Sequence, residues 1–205
     1  MTTSYHHGDL RAALLARAEA VVEQDGVDAL SLRALARDVG VSHAAPARHF
    51  RDRQALVDAL AAAGFARMTQ ELAAASRPTA TGPADVWDRL AAVARAYADF
   101  ATSRPGLLSV MYASKHAEDA DPALLEAGHA CLQVVVDLVA DGQADGSIAD
   151  GDPVELSRVA FAAVHGVASL STGGLLEDLP LDVALDRVVA VLVGGLRADR
   201  QRADR

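Results

Sequence analysis

Apolar residues recur every three or four positions along most of the chain, which is the spacing of amphipathic helices. The first segment carries five of them on one face: Leu10, Leu14, Ala18, Val21 and Val22. Gly26 suits the left-handed geometry that ends a helix, and Ser31 is a favourable N-cap for a second helix that Gly40 closes. Ser42 then predicts the start of a third helix, which runs to about Phe50.

Longer helical patterns fill the rest of the chain. They cover residues 54–76, 84–102, 105–113, 122–140, 153–171 and 180–198. A proline lies at or near the first turn of each of the last five, where its missing N–H costs little. Residues 77–84 have the composition of a loop. The pattern therefore predicts an all-α protein, with a three-helix helix-turn-helix domain at 1–53, a helical domain at 54–199 and a frayed tail at 200–205.

Composition and charge add a contrast between two parts of the chain. The 205 residues are 51% hydrophobic and carry a formal net charge of −9, which argues against general coating of nucleic acid. Arg48, Arg51 and Arg53 nevertheless lie close together in sequence and outnumber Asp52. A locally basic end on an acidic chain is typical of a DNA reader joined to a domain of another kind.

Several classes of protein are disfavoured. The longest purely apolar runs, such as residues 188–193, are far shorter than the ~18 residues that cross a bilayer, so we expect a soluble, cytoplasmic protein without a membrane partner. Cys131 is the single cysteine and is expected to be buried. The acidic loop 141–152 lacks the final glutamate of a calcium-binding loop. No metal site, cofactor or catalytic constellation is predicted, so we expect no enzyme.

Residues 31–50 contain each part of a helix-turn-helix. Such a motif needs a short helix, a tight turn and a second helix whose beginning enters the major groove. Gly40 allows the bend, Val41 is suited to the core and Ser42 to the next cap. On these residues alone, an ordinary pair of packed helices stays open as the alternative.

The segment SLRALARDVGVSHAAPARHFRDRQAL, residues 31–56, resembles the helix-turn-helix of the tetracycline-repressor (TetR) family. The matching positions are Ala36, Gly40, Val41, Ser42, His49, Phe50 and Leu56. FAAVHGVASL, residues 161–170, is similar to the W-x-x-x-H-G segment of a TetR subfamily, with Phe161 in place of tryptophan, and YHHGDLR, residues 5–11, is similar to its beginning. The resemblance implies a DNA-binding domain followed by an effector-binding and dimerisation domain.

The resemblance also implies the residues that contact DNA: Ser31, Arg33, Ser42, His43, Ala44, Ala45, Ala47, Arg48, His49 and Arg53. Ala47 replaces a tyrosine that contacts a phosphate in the family, a loss on the scale of one hydrogen bond, about 1 kcal/mol. Arg53 replaces the usual lysine and is expected to keep a phosphate contact. Pro46 removes one helical hydrogen bond, and Ala44 and Ala45 can touch thymine methyl groups. Hydrogen bonds to base edges are expected chiefly from His43 and Arg48.

A mostly apolar effector pocket is implied in the second domain, lined by Trp87, Leu90, Tyr97, Phe100, Leu108, Met111, Tyr112, Phe161 and His165. For His165, a core histidine with satisfied hydrogen bonds stays open beside a ligand-binding role. The last two helices are expected to form a homodimer interface through Ala162, Gly166, Leu185, Val188, Val189, Leu192 and Leu196.

The implied function is one-component transcriptional regulation, with repression as the expected mode. A homodimer would bind a palindromic double-stranded DNA operator and be released by a small apolar or amphipathic effector. The alternative is a TetR-like helical dimer that binds a ligand or protein but has lost sequence-specific DNA reading, which the absence of the tyrosine at Ala47 favours.

Overall fold

The computed structural model describes residues 7–77, 85–118 and 120–197, with side chains from Leu10 onward. Its eight α-helices are α1 (His7–Asp25), α2 (Leu32–Asp38), α3 (Arg53–Ala75), α4 (Val86–Ser103), α5 (Pro105–Lys115), α6 (Pro122–Ala144), α7 (Pro153–Thr172) and α8 (Leu181–Leu196). Two 3-10 helices, Val27–Ala29 and Pro46–Arg48, join the early ones. Across these ranges there is no β-strand, only an isolated bridge between Ile148 and Arg197. The all-α fold is confirmed.

The chain divides into two compact units. The first contains residues up to Ala66 together with Arg104–Gly128, and the second contains Arg67–Ser103 and the residues from His129 onward. These units differ from the predicted domains 1–53 and 54–199, because α5 packs against α1 although the two helices are far apart in sequence. Periodicity within one helix carries no information about such a distant partner.

The packing of α1 against α5 in the first unit is close and polar. The carboxylate of Glu23 accepts hydrogen bonds from the backbone N–H groups of Gly106 (3.1 Å) and Leu107 (2.7 Å) at the start of α5. A Cβ added to Gly106 would lie 2.9 Å from the carbonyl oxygen of Val22. Glu23 therefore satisfies amides that the helix leaves without partners, and glycine permits the approach.

The second unit is built on α4, α7 and α8, which pack against one another. Trp87, Val86, Val139 and Ile148 form a buried cluster within it. The carboxylate of Asp152 accepts a hydrogen bond from Val154 N (2.8 Å) and so caps α7.

The predicted helices lie close to the observed ones in all but one case. The helix expected between Ser42 and Phe50 is absent as an α-helix. Cys131 is buried as expected. Residues 78–84 of the predicted loop and the predicted tail at 200–205 lie outside the described residues.

One helix within the described ranges, α6, is long and apolar enough by length and composition to cross a membrane. Core helices of soluble proteins share that length and composition. Its buried residues include Leu124, Cys131, Val136, Leu138 and Val139. Packing within the chain accounts for these apolar positions.

Candidate functional site

The turn after α2 fixes where the following segment begins. Ser31 caps the helix by accepting a hydrogen bond from Ala34 N (3.4 Å). At the other end Gly40 has a φ of 76°, while its own N–H bonds to Arg37 O (3.1 Å) and that of Val41 bonds to Ala36 O (2.9 Å). This is the Schellman pattern, in which a residue with positive φ reverses the chain and satisfies the last carbonyl groups. Glycine at 40 is required by that geometry.

Residues 42–50, which we call the reading segment, form one turn followed by the 3-10 helix Pro46–Arg48. Ala45 N bonds to Ser42 O (2.9 Å) and Arg48 N bonds to Ala45 O (3.2 Å), both across three residues. The predicted α-helix is therefore wrong in kind. Pro46 has no N–H with which to make the α-helical bond to Ser42 O, so the tighter pattern forms instead.

The reading segment has an outward and an inward side. His43, Ala44, Ala47 and Arg48 are exposed. The inward side is formed by Pro46, which is buried, and by Phe50, which is 2% exposed. The guanidinium carbon of Arg11 lies 5.5 Å from the ring centroid of Phe50. The proline and the phenylalanine thus anchor the segment and leave the other four side chains open to solvent.

The remaining predicted DNA contacts lie around this segment. Ser31, Arg33 and Ser42 are exposed, whereas Ala45 and His49 are half-buried. Arg33 and Arg48 form no ion pair with any residue in the described part of the chain. Arg51, by contrast, has its Nε 3.2 Å from a carboxylate oxygen of Asp52. The cations most available to an anionic partner are therefore Arg33 and Arg48.

Arg53 has a structural role that its sequence position did not indicate. Its guanidinium donates hydrogen bonds to the carbonyl oxygens of Leu30 (3.1 Å) and Val27 (2.5 Å), and it lies 3.6 Å from a carboxylate oxygen of Asp28. These contacts hold the 3-10 helix Val27–Ala29 to the start of α3. Two of its donors are thus occupied within the chain, which lowers its availability to a phosphate.

In the second unit, α4 and α7 bring three of the predicted pocket residues together. The hydroxyl oxygen of Tyr97 lies 2.6 Å from Nδ1 of His165, and Ser169 Oγ lies 3.3 Å from its Nε2. The ring of Phe161 stacks on that of His165 at 5.4 Å and meets the edge of Tyr97 at 5.6 Å. We call Tyr97, Phe161, His165 and Ser169 the histidine cluster. Burial lowers the pKa of His165, which favours the neutral imidazole.

The other predicted pocket residues lie elsewhere. Trp87 and Leu90 belong to the buried cluster with Val139 and Ile148. Phe100 is fully buried. Leu108, Met111 and Tyr112 belong to the first unit, where Tyr112 meets the ring of Phe65 edge-on. Of the predicted pocket residues, Tyr97, Phe161 and His165 are therefore the ones that lie together beside hydrogen-bonding groups in the second unit.

The predicted dimer residues fall on different sides of α7 and α8. Leu185 is 4% exposed within the single chain, and the half-buried Leu196 packs against the buried cluster around Trp87. Their place at a dimer interface stays a prediction. Ala162 is exposed, while Gly166, Val188, Val189 and Leu192 are half-buried. Exposed apolar side chains that the sequence did not single out lie on the same helices: Val159, Leu170, Val183 and Val191. Together with Ala162 and Gly166 we call them the outer face of α7 and α8.

A Cβ added to Gly166 or Gly194 would meet no atom within 4 Å, so the chain leaves open space beside both helices. Val191 is 73% exposed and Val159 59%. Among the described residues, no group of three or more His, Cys, Asp or Glu side chains could hold a metal ion.

Two family models match the sequence over most of its length. Residues 14–60 match the model of bacterial regulatory proteins of the tetR family, and residues 90–196 match the "Tetracyclin repressor-like, C-terminal domain". The chain belongs to the TetR family. It is accordingly a TetR-family transcriptional regulator with a helix-turn-helix DNA-binding domain, as the sequence predicts.

Solved structures agree with the TetR assignment. A protein with unknown function from Rhodococcus sp. RHA1 is 47% identical, matches 97% of this chain and 100% of its own, and has a TM-score of 0.88. The reduced form of E. coli NemR is 20% identical, with coverage of 94% and 100% and a TM-score of 0.68. PfmR of Thermus thermophilus, a TetR-family regulator, is 14% identical, with coverage of 90% and 98% and a TM-score of 0.68. The last two show likeness of fold alone. No curated protein sequence matches the chain.

Proposed function

We propose that this TetR-family protein is a one-component repressor that binds a palindromic operator as a cytoplasmic homodimer. A small apolar or amphipathic effector releases it from DNA. It acts by binding and needs neither catalytic activity nor a cofactor.

The observation that carries operator binding is the outward side of the reading segment. Arg48 and His43 are exposed there, and both can donate hydrogen bonds to base edges. Arg33 is an exposed cation on the preceding helix, α2. A tight turn at Gly40 and the buried Pro46 hold the segment in place, so DNA binding needs to immobilise little additional backbone.

The outer face of α7 and α8 supports the homodimer. Three exposed valines and one exposed leucine on two adjacent helices, with glycines that have open space beside them, favour close packing against a second copy. A two-fold axis through this face pairs it with itself. Two reading segments about 34 to 36 Å apart then meet successive major grooves, which is the reason for expecting a palindrome.

The histidine cluster is the proposed centre of the effector site. Its stacked and edge-on rings offer apolar surface, while the Tyr97 hydroxyl and the His165 imidazole supply hydrogen-bonding groups. Ligand sites commonly combine a mostly apolar lining with a few such groups. An effector that binds a non-operator arrangement more tightly than the operator-bound one lowers DNA affinity by population shift.

The test is selection of bound duplexes from a random DNA library by the purified full-length protein at about 0.15 M ionic strength. An enriched palindrome whose affinity falls steeply with salt supports the proposal, since phosphate contacts release counterions. Arg48→Ala changes a residue of the reading segment and is expected to weaken binding. Arg77→Ala, which lies just after the end of α3, is the matched control. A folded protein that enriches no sequence overturns operator reading.

A second candidate is a helical dimer that binds a ligand or protein without reading DNA. It is favoured by the short 3-10 reading segment and by the use of Arg53 within the chain. Binding to the random library with equal affinity for all sequences, or no binding at all, selects this candidate over the first.

A further inference from the structure

The hydroxyl group of Ser169 differs from its neighbours on α7. In a helix, serine and threonine side chains commonly donate to a backbone carbonyl three or four residues earlier. Ser157 follows this pattern, with its Oγ 2.6 Å from the carbonyl oxygen of Pro153. Thr172 follows it too, with its Oγ1 2.9 Å from Ser169 O. The Oγ of Ser169 instead lies 3.3 Å from Nε2 of His165, so its partner is a basic ring nitrogen.

The ring of His165 is held in one orientation. Its Nδ1 lies 2.6 Å from the hydroxyl oxygen of Tyr97, which is 4% exposed, and the ring of Phe161 stacks on its face. With its proton on Nδ1, the imidazole donates to Tyr97 and leaves the lone pair of Nε2 facing Ser169. Burial lowers the pKa of His165, which favours the neutral ring with this lone pair free.

A hydroxyl, a neutral imidazole and a group that orients the imidazole are together the parts of an activated nucleophile. Tyr97 and His165 are 68 residues apart, so no spacing in the sequence indicates this arrangement. Ser169 is exposed, so an electrophile can reach its Oγ. We propose that Ser169 is an acylation site, with His165 as its general base and a reactive ester as the acyl donor. The inference rests on the proposed function, because it places a covalently bound effector in the histidine cluster.

The reaction transfers one acyl group and oxidises nothing. The Oγ of Ser169 attacks the carbonyl carbon of the ester, and the hydroxyl proton passes to Nε2 of His165. The bond from that carbon to the leaving oxygen then breaks, and its electron pair goes to the leaving oxygen. That oxygen takes the proton from Nε2. The products are an ester of Ser169 and a free alcohol, with His165 neutral again.

The acyl group is expected to remain on Ser169. Rapid hydrolysis needs N–H donors that stabilise the oxyanion, and one such donor contributes about 10²- to 10³-fold in rate. The N–H groups of Gly173 and Leu175, just after α7, donate instead to Ser169 O (3.1 Å) and Leu170 O (2.8 Å). A reactive ester therefore acylates Ser169, whereas the less reactive serine ester that results is hydrolysed slowly. This behaviour suits a covalent effector rather than a catalytic cycle.

The first experiment uses p-nitrophenyl acetate as the acyl donor and the full-length protein without DNA. Peptide mass spectrometry follows the acetylation of each serine with time. Ser169 is expected to react about a hundredfold faster than Ser109, an exposed serine of α5, which is the scale of general base catalysis. The comparison is made within one unaltered protein, so it depends on no variant. Equal rates at the two serines would overturn the proposal.

A variant then tests the general base. In His165→Gln the acetylation of Ser169 should slow about a hundredfold, because glutamine cannot take the proton. His129→Gln, which changes an exposed histidine of α6, is the matched control and should keep the rate. Thermal melting checks that both variants are folded. A folded His165→Gln that is acetylated at the original rate would show that His165 is not the base.

The last measurement connects the acylation to the proposed function. Protein acetylated at Ser169 should bind the enriched palindrome at least about fivefold more weakly, which is the lower end of typical coupling between two sites. Ser169→Ala treated with the same reagent is the control, since acetylation elsewhere is common to both proteins. Unchanged affinity after complete acetylation of Ser169 would overturn the covalent effector. A library that enriches no palindrome overturns operator reading, whereas the acetylation rates, measured without DNA, still decide the acylation site.

Discussion

The reading segment and the outer face of α7 and α8 differ in how much of their surface is packed against the rest of the single chain. In the reading segment, a helix cap, a glycine turn and a buried proline fix the backbone, and a few polar side chains project from it. On the outer face, large apolar side chains project from regular helices with nothing opposite two of the glycines. A surface that forms hydrogen bonds with DNA base edges needs a rigid backbone. A surface that binds a second copy of the same chain needs exposed apolar area.

The largest effect is expected on the outer face. Val191→Glu removes little packing within the chain, because Val191 is 73% exposed. At a two-fold interface it buries two unpaired carboxylates, which costs several kcal/mol, so dimer dissociation should rise more than a hundredfold. Sedimentation at micromolar concentration measures this. Ala130→Glu, at an exposed position of α6, is the control, and an unchanged dimer in Val191→Glu would mean that copies associate through another surface.

An intermediate effect separates two arginines of the first unit. Arg48→Ala should weaken operator binding about tenfold, the cost of one good base contact, without lowering the melting temperature. Arg53→Ala should instead lower the melting temperature by several degrees, because the carbonyls of Leu30 and Val27 lose their donors. Melting curves and titrations of both variants with the same duplex test the division of roles. It fails if Arg53→Ala weakens DNA binding more than Arg48→Ala does.

The smallest effect concerns the pH dependence of stability. Burial lowers the pKa of His165 below its ordinary value of 6.5, so below that pH the unfolded chain binds a proton that the folded chain resists. The corresponding stability is complete above pH 6.5 and is lost as the pH falls towards the lowered pKa. Urea unfolding at pH 7.5 and 5.5, at one protein concentration, should show a smaller loss for His165→Gln than for the unaltered protein. His129→Gln, at an exposed position, should keep the full loss, and an equal loss in all three proteins would contradict the prediction.

Local signals predicted most of the fold. Ser31 and Gly40 act as the cap and the turn that their side chains and spacing indicate. These features depend on residues within a few positions of one another, so the sequence contains all of their causes. The reading segment is the exception, because one proline changes the hydrogen-bond pattern of an otherwise helical stretch.

Side-chain roles across the chain were harder to predict. Most residues of α8 are apolar, so periodicity could not tell that Leu185 faces inward and Val191 outward. Arg53 matches a phosphate-binding position by sequence, yet its contacts with carbonyl groups 23 and 26 residues earlier depend on the fold. The predicted pocket set was similarly divided, with Tyr97, Phe161 and His165 together and Tyr112 in the other unit.

The hydrogen bonds from Gly106 and Leu107 to Glu23 have a consequence for the order of folding during synthesis. Their partners are separated by 83 and 84 residues, so they close a long loop. α1 packs against α5, and the surface of α1 that α5 covers stays open until the ribosome has delivered Pro105–Lys115. A fragment that stops after α3 contains the whole reading segment but lacks the helix that completes the packing of its first helix.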